Sequence, residues 1–196
     1  MPSSAMPMQT LTHIPTAATR SATLIAVGAL GVGAFGVGMV GVWVAVSVSL
    51  SIASLAAWVD LQSRHIPDEL VALALLPSVG SAAAALVTGG GAARMVAIVF
   101  GIGILALPLL LIHLVSPSAM GFGDVKLAVA LGAAVGLVDP VLGLVALCVA
   151  SALTVAVGVA TRRGALPFGP GLVIGAATAL VLASTWTSAW TERRLP

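Results

Sequence analysis

Residues 95–123 read MVAIVFGIGILALPLLLIHLVSPSAMGFG, and the next residue is Asp124. The run holds no Asp, Glu, Lys or Arg. About 20 apolar residues span a bilayer core, so it contains at least one transmembrane helix and delivers a carboxyl to the mouth of the next apolar segment. An acid beside hydrocarbon costs roughly 3 kcal/mol on insertion scales and by default marks a functional site.

The rest of the chain repeats the pattern. Hydrophobic residues make up 60% of it and charged residues 7%, and mean hydropathy is +1.19. Its acids are Asp60, Asp68, Glu69, Asp124, Asp139 and Glu192. Further charge-free stretches cover residues 21–59, 70–93 and 164–191, each long enough for at least one span. The class is therefore an all-α polytopic transmembrane bundle in a lipid bilayer. The pI near 9.5 does not signal nucleic acid, because the basic residues are too few and too scattered for a phosphate-binding face. They fit loop anchors instead. A single cysteine, Cys148, excludes an intrachain disulfide and a cysteine-cluster zinc site, and is read as a small apolar helix residue.

Residues 1–20 are polar and lack apolar periodicity, which predicts a mobile tail. The apolar run behind them is far longer than a signal-peptide core of about 7–15 residues, so no cleavable signal is expected. The run 22–59 is too long for one span and carries glycines 28, 31, 33, 36, 38 and 41. A tight turn near 36–41 is expected to divide it, giving an extra N-terminal helix over 21–41 before a six-helix core over 42–190 and a short tail, 191–196. The same glycines also suit a helix-packing face, which would make the run one helix. Later spans are expected near 68–88, 93–115, 124–138, 140–161 and 167–186, for a total of seven, or six if the first run is single. The helix carrying Asp124 looks short unless it continues into its preceding loop. Seven spans place Arg20, Arg64, Lys126, Arg162 and Arg163 on one side against Arg94, Arg193 and Arg194, a bias that puts the Asp60 and Asp124 loops in the cytoplasm. Two spans separate these acids, so both lie on one face.

Asp60 closes one apolar helix, a polar loop follows, and Pro67 opens the next, where its missing N–H is no loss. Asp68 and Glu69 then face the positive end of that helix and are read as stabilising acids. Asp60 itself meets the negative end of its helix, which disfavours its anion; its structural alternative is a surface pair with Arg64. Asp124 stands at a helix start, where the anion is favoured, and its structural alternative is an ordinary N-cap. Gly121 and Gly123 are expected to give unusual backbone freedom and room for a substrate strand. Two carboxyls that share one proton supply a base for water and an acid for a carbonyl, which is what peptide hydrolysis requires. Helix-end electrostatics assign Asp124 as base and Asp60 as acid.

Asp60 followed by Ile66-Pro67-Asp68 resembles the first catalytic region of type IV prepilin peptidases, the GxGD-type membrane aspartyl proteases. Gly121-Phe122-Gly123-Asp124-Val125-Lys126-Leu127 is similar to their second, and Leu166-Pro167-Phe168-Gly169-Pro170 to an element that opens their last helix. The resemblance implies a six-helix core, Asp60 and Asp124 as the catalytic pair, and Gly121, Gly123, Pro167 and Gly169 at the substrate. It implies no metal and no cofactor. It implies a multi-pass plasma-membrane enzyme that cuts the leader from prepilin-like or preflagellin-like membrane-anchored substrates on the cytoplasmic side. Larger members add a methyltransferase domain with a cysteine zinc site, for which this chain lacks the cysteines, so it resembles the short form.

The other singular residues are read structurally. His65 and His113 are interfacial or packed, Lys126 is a snorkelling anchor, Pro108 kinks its span, and Asp139-Pro140 makes a turn. The competing functional class is a proton-coupled transporter or another non-enzymatic membrane protein using its aspartates as proton or cation sites. Transporters often carry internal repeats, and neither aspartate motif has a second copy in the chain.

Overall fold

A computed structural model describes residues 38–63, 66–87, 89, 91–117, 120–162 and 168–192. They form α1 (Met39–Ser63), α2 (Asp68–Leu86), α3 (Gly91–Val115), α4 (Phe122–Val138), α5 (Leu142–Thr161) and α6 (Gly169–Glu192), with no strand among the described residues. Four helices are long and apolar enough to cross a membrane: Met39–Gln62, Asp68–Leu86, Gly91–Val115 and Leu142–Thr161. The expected all-α polytopic bundle is what the chain forms. Most of the expected extra helix lies outside the described residues. The expected turn reaches residue 38 at most, because residues 39–41 already belong to α1.

Helix α4 is the axis of the bundle and packs against all five others. Residues 130–137 are buried without interruption, so α4 shows no polar face for a sequence pattern to reveal. The outer helices instead expose large apolar side chains such as Val40, Phe100, Val115, Val159 and Val181. Such a surface calls for lipid, not water. The hydroxyls on these faces stay inside their own helix: Ser47, Ser51 and Ser54 of α1 donate to the carbonyls of Trp43, Ser47 and Leu50. That is the arrangement hydrocarbon demands of polar groups.

Small residues let the core close. A Cβ on Gly132 would lie 2.8 Å from the Gly101 carbonyl oxygen and from the Ile102 Cα, so α3 and α4 meet backbone to backbone. Between α1 and α2, the buried hydroxyls of Ser49 and Ser78 hydrogen-bond at 3.2 Å. Helix α3 stays helical through Pro108, and α2 through Pro77. Asp139 caps the end of α4, and its Oδ1 accepts the Val141 N–H at 2.8 Å, which is the expected turn.

Candidate active site

The end of α1, the segment just before α2 and the starts of α4 and α6 meet at one end of the bundle. Asp60 sits one turn inside the end of α1, which runs on to Ser63, and not at its last residue as expected. It is partly buried. Ile66 and Pro67 cross in extended form to α2, with Pro67 as N-cap at φ −63°, ψ 131°. Helix α4 starts at Phe122 with Gly121 as N-cap, so Asp124 is its third residue and not a cap. The Asp124 N–H donates to the Gly121 carbonyl at 3.1 Å, and the side chain is only 8% exposed.

The two carboxyls line one cavity of about 310 Å³, together with Ile66, Gly121, Phe122, Gly123 and Lys126. Gly169, the first residue of α6, marks how near they come. A Cβ placed on it would lie 3.3 Å from Asp124 Oδ1 and 3.7 Å from Asp60 Oδ2, so one point is in van der Waals contact with both acids. Asp124 Oδ1 is buried without a hydrogen bond of ordinary geometry, although the amides of Phe168 and Gly169 lie on its side. A buried, under-satisfied carboxylate oxygen beside a second acid is the kind of group that structural burial alone does not explain. Asp124 is the deeper of the two, an influence that helix-end electrostatics leave out.

The glycines divide in their roles. Gly121 has φ −67° and ψ 139°, which any residue adopts, so the expected unusual backbone is absent there. A Cβ on Gly121 would meet only Asp124 Oδ2, at 3.7 Å. The space beside Gly123 is taken by Ile66, whose Cδ1 would be 3.2 Å from an added Cβ. Gly123 thus serves packing between the start of α4 and the residues that lead into α2. Pro167, with Leu166, lies outside the described residues, as do Arg64 and His65.

Two further residues belong to this end of the bundle. Lys126, expected to be an anchor, lines the cavity, and its Nζ donates to Asp68 Oδ1 at 2.6 Å. The pairing was hidden because 58 residues separate the partners and sequence spacing within α4 says nothing about a neighbouring helix. His113 Nδ1 donates to the Met120 carbonyl at 2.8 Å, and its ring lies 5.3 Å from that of Phe122. It is a packed residue, as expected, and ties the end of α3 to Met120, two residues before α4. Among the described residues, no group of three or more His, Cys, Asp or Glu side chains is placed to hold a metal ion.

The chain matches the profile of the type IV leader peptidase family over residues 47–159, a span that includes both aspartates. No curated protein and no solved structure matches it significantly. With more than half of its length inside that match, this multi-pass membrane chain belongs to the type IV leader peptidase family.

Proposed function

We propose that the protein is an aspartyl endopeptidase that removes the leader from prepilin-like, membrane-anchored substrates at the cytoplasmic face of the plasma membrane. The observation that carries this reading is the shared point of contact at Gly169, which brings Asp60 and Asp124 to one small cavity.

Two carboxyls brought together in one cavity favour holding a single proton between them. The ionised member takes a proton from a water molecule as the water oxygen attacks the scissile carbonyl carbon. The protonated member gives its proton to the carbonyl oxygen, forming a neutral tetrahedral diol. Return of a hydroxyl proton to a carboxylate and protonation of the amide nitrogen then break the C–N bond, releasing a carboxylic acid and an amine. The pair ends with the single proton it began with. Gly121 and Gly169 present backbone without side chains beside the carboxyls, which suits an extended substrate; Pro167 stands two residues before Gly169 and is assigned to the same substrate-binding segment.

Reconstitution in liposomes with a prepilin-like substrate tests the reading. Asp60→Asn and Asp124→Asn keep side-chain shape while removing proton exchange, and each is expected to lower cleavage by about 10³-fold or more. Full cleavage by either folded variant would remove that residue from the pair.

A further inference from the structure

Two helices that carry no common sequence motif are joined over the cavity. Lys126 of α4 and Asp68 of α2 form an ion pair at 2.6 Å, with side chains 33% and 73% exposed. Lys126 Nζ also lies 5.0 Å from the Phe122 ring centroid, a cation–π distance. Phe122 in turn leans on His113, which is bonded to Met120. A continuous set of contacts therefore runs from the start of α2, across the start of α4, to the end of α3. Directly beneath it Ile66 fills the space beside Gly123. The segment that follows the Asp60 helix is thus held to the segment bearing Asp124 at two places, one apolar and one ionic.

An ion pair this open to solvent adds little to folding. Its position gives it another use. Asp60 and Asp124 stand on separate helices, and small displacements of reacting groups carry large rate costs. Resting on the peptidase reading above, we propose that Lys126 and Asp68 are positioning residues: their pair clamps the α1–α2 connection onto the start of α4 and so sets the separation of the two carboxyls. Lys126 acts here through Asp68 and Phe122, and not by contact with substrate.

The test uses Lys126→Met, which keeps the apolar stem and loses the charge, Asp68→Asn, the double variant, and Lys126→Arg. Each single change is expected to lower kcat about tenfold or more while KM moves less, the double variant to be no worse than the worse single, and Lys126→Arg to recover most of the rate. Independent effects that multiply in the double variant, or a loss confined to KM, would overturn the clamp. A second measurement does not depend on turnover. In a Cys148→Ser background, spin labels at Leu61→Cys and Gly121→Cys report the spacing of the two segments in lipid nanodiscs. A narrow distance distribution should broaden in Lys126→Met and in Asp68→Asn, and an unchanged distribution would also overturn the proposal. Should the otherwise unaltered protein cleave prepilin-like substrates while both single variants keep its kcat, the clamp fails and the peptidase reading stands. Should it cleave none, the peptidase reading fails and the distance measurement still decides the clamp.

Discussion

Ile66 lies against Gly123 so closely that an added Cβ would sit 3.2 Å from its Cδ1 and Cγ1. Gly123→Ala would make the β-branched Ile66 give by a few tenths of an ångström, and alanine's helix preference offsets that strain, so stability should change by less than about 1 kcal/mol. The start of α4, which carries Asp124, would nevertheless shift against the segment that follows the Asp60 helix. Cleavage should fall by about tenfold or more, given the steep dependence of rate on the placement of reacting groups. Parallel thermal unfolding in detergent and cleavage in liposomes separate the two effects; equal losses in both would contradict this account.

Gly169→Ala gives a sharper version of the same test. The new methyl would enter the space between the carboxyls, at 3.3 Å from Asp124 Oδ1 and 3.4 Å from Leu127 Cδ2. These are contacts the fold can accommodate, so the unfolding midpoint should hold while kcat drops. Unchanged kcat would show that this space is not where water and peptide meet the acids.

The membrane core predicts a contrast between two glycines of neighbouring helices. Gly132→Ala directs its methyl at the backbone of Gly101 and Ile102, whereas a Cβ on Gly103 meets nothing within 4 Å. The first should destabilise, with about 1–3 kcal/mol of overpacking only partly offset by helix preference. Gly103→Ala should be neutral or stabilising. Chemical unfolding in mixed micelles measures both, and the reverse order would rule out the close α3–α4 approach.

Cys148 tests the immersion of α5. It is exposed, on a 20-residue apolar helix, with no described protein group covering it. In intact vesicles a charged maleimide should leave it unlabelled, and labelling should appear after denaturation in detergent. Rapid modification in intact vesicles would mean that this face of α5 meets water.

Much of this arrangement was legible in the chain itself. Charge-free runs announce spans because hydrocarbon tolerates little else, and an even number of spans between Asp60 and Asp124 puts them on one side. Helix limits were less legible. Asp124 was expected at a helix start and is the third residue of α4, since the helix begins two residues earlier behind an unremarkable extended Gly121 that no capping side chain signals. Which face of a helix points inward was not legible at all for α4, where nearly every residue is apolar and every side is packed. The Lys126–Asp68 pair escaped for a related reason. Spacing rules describe neighbours on one helix, and this contact exists only after α2 and α4 have been brought side by side.

Helix α4 has 17 residues, and at about 1.5 Å per residue it falls short of the roughly 30 Å that a hydrocarbon core measures. A segment ringed by lipid would have to thin the bilayer around itself to make up the difference. This one is ringed by its own protein, so the mismatch never reaches the lipid. The missing length is free to become a recess at the Asp124 end, the cavity that both carboxyls line.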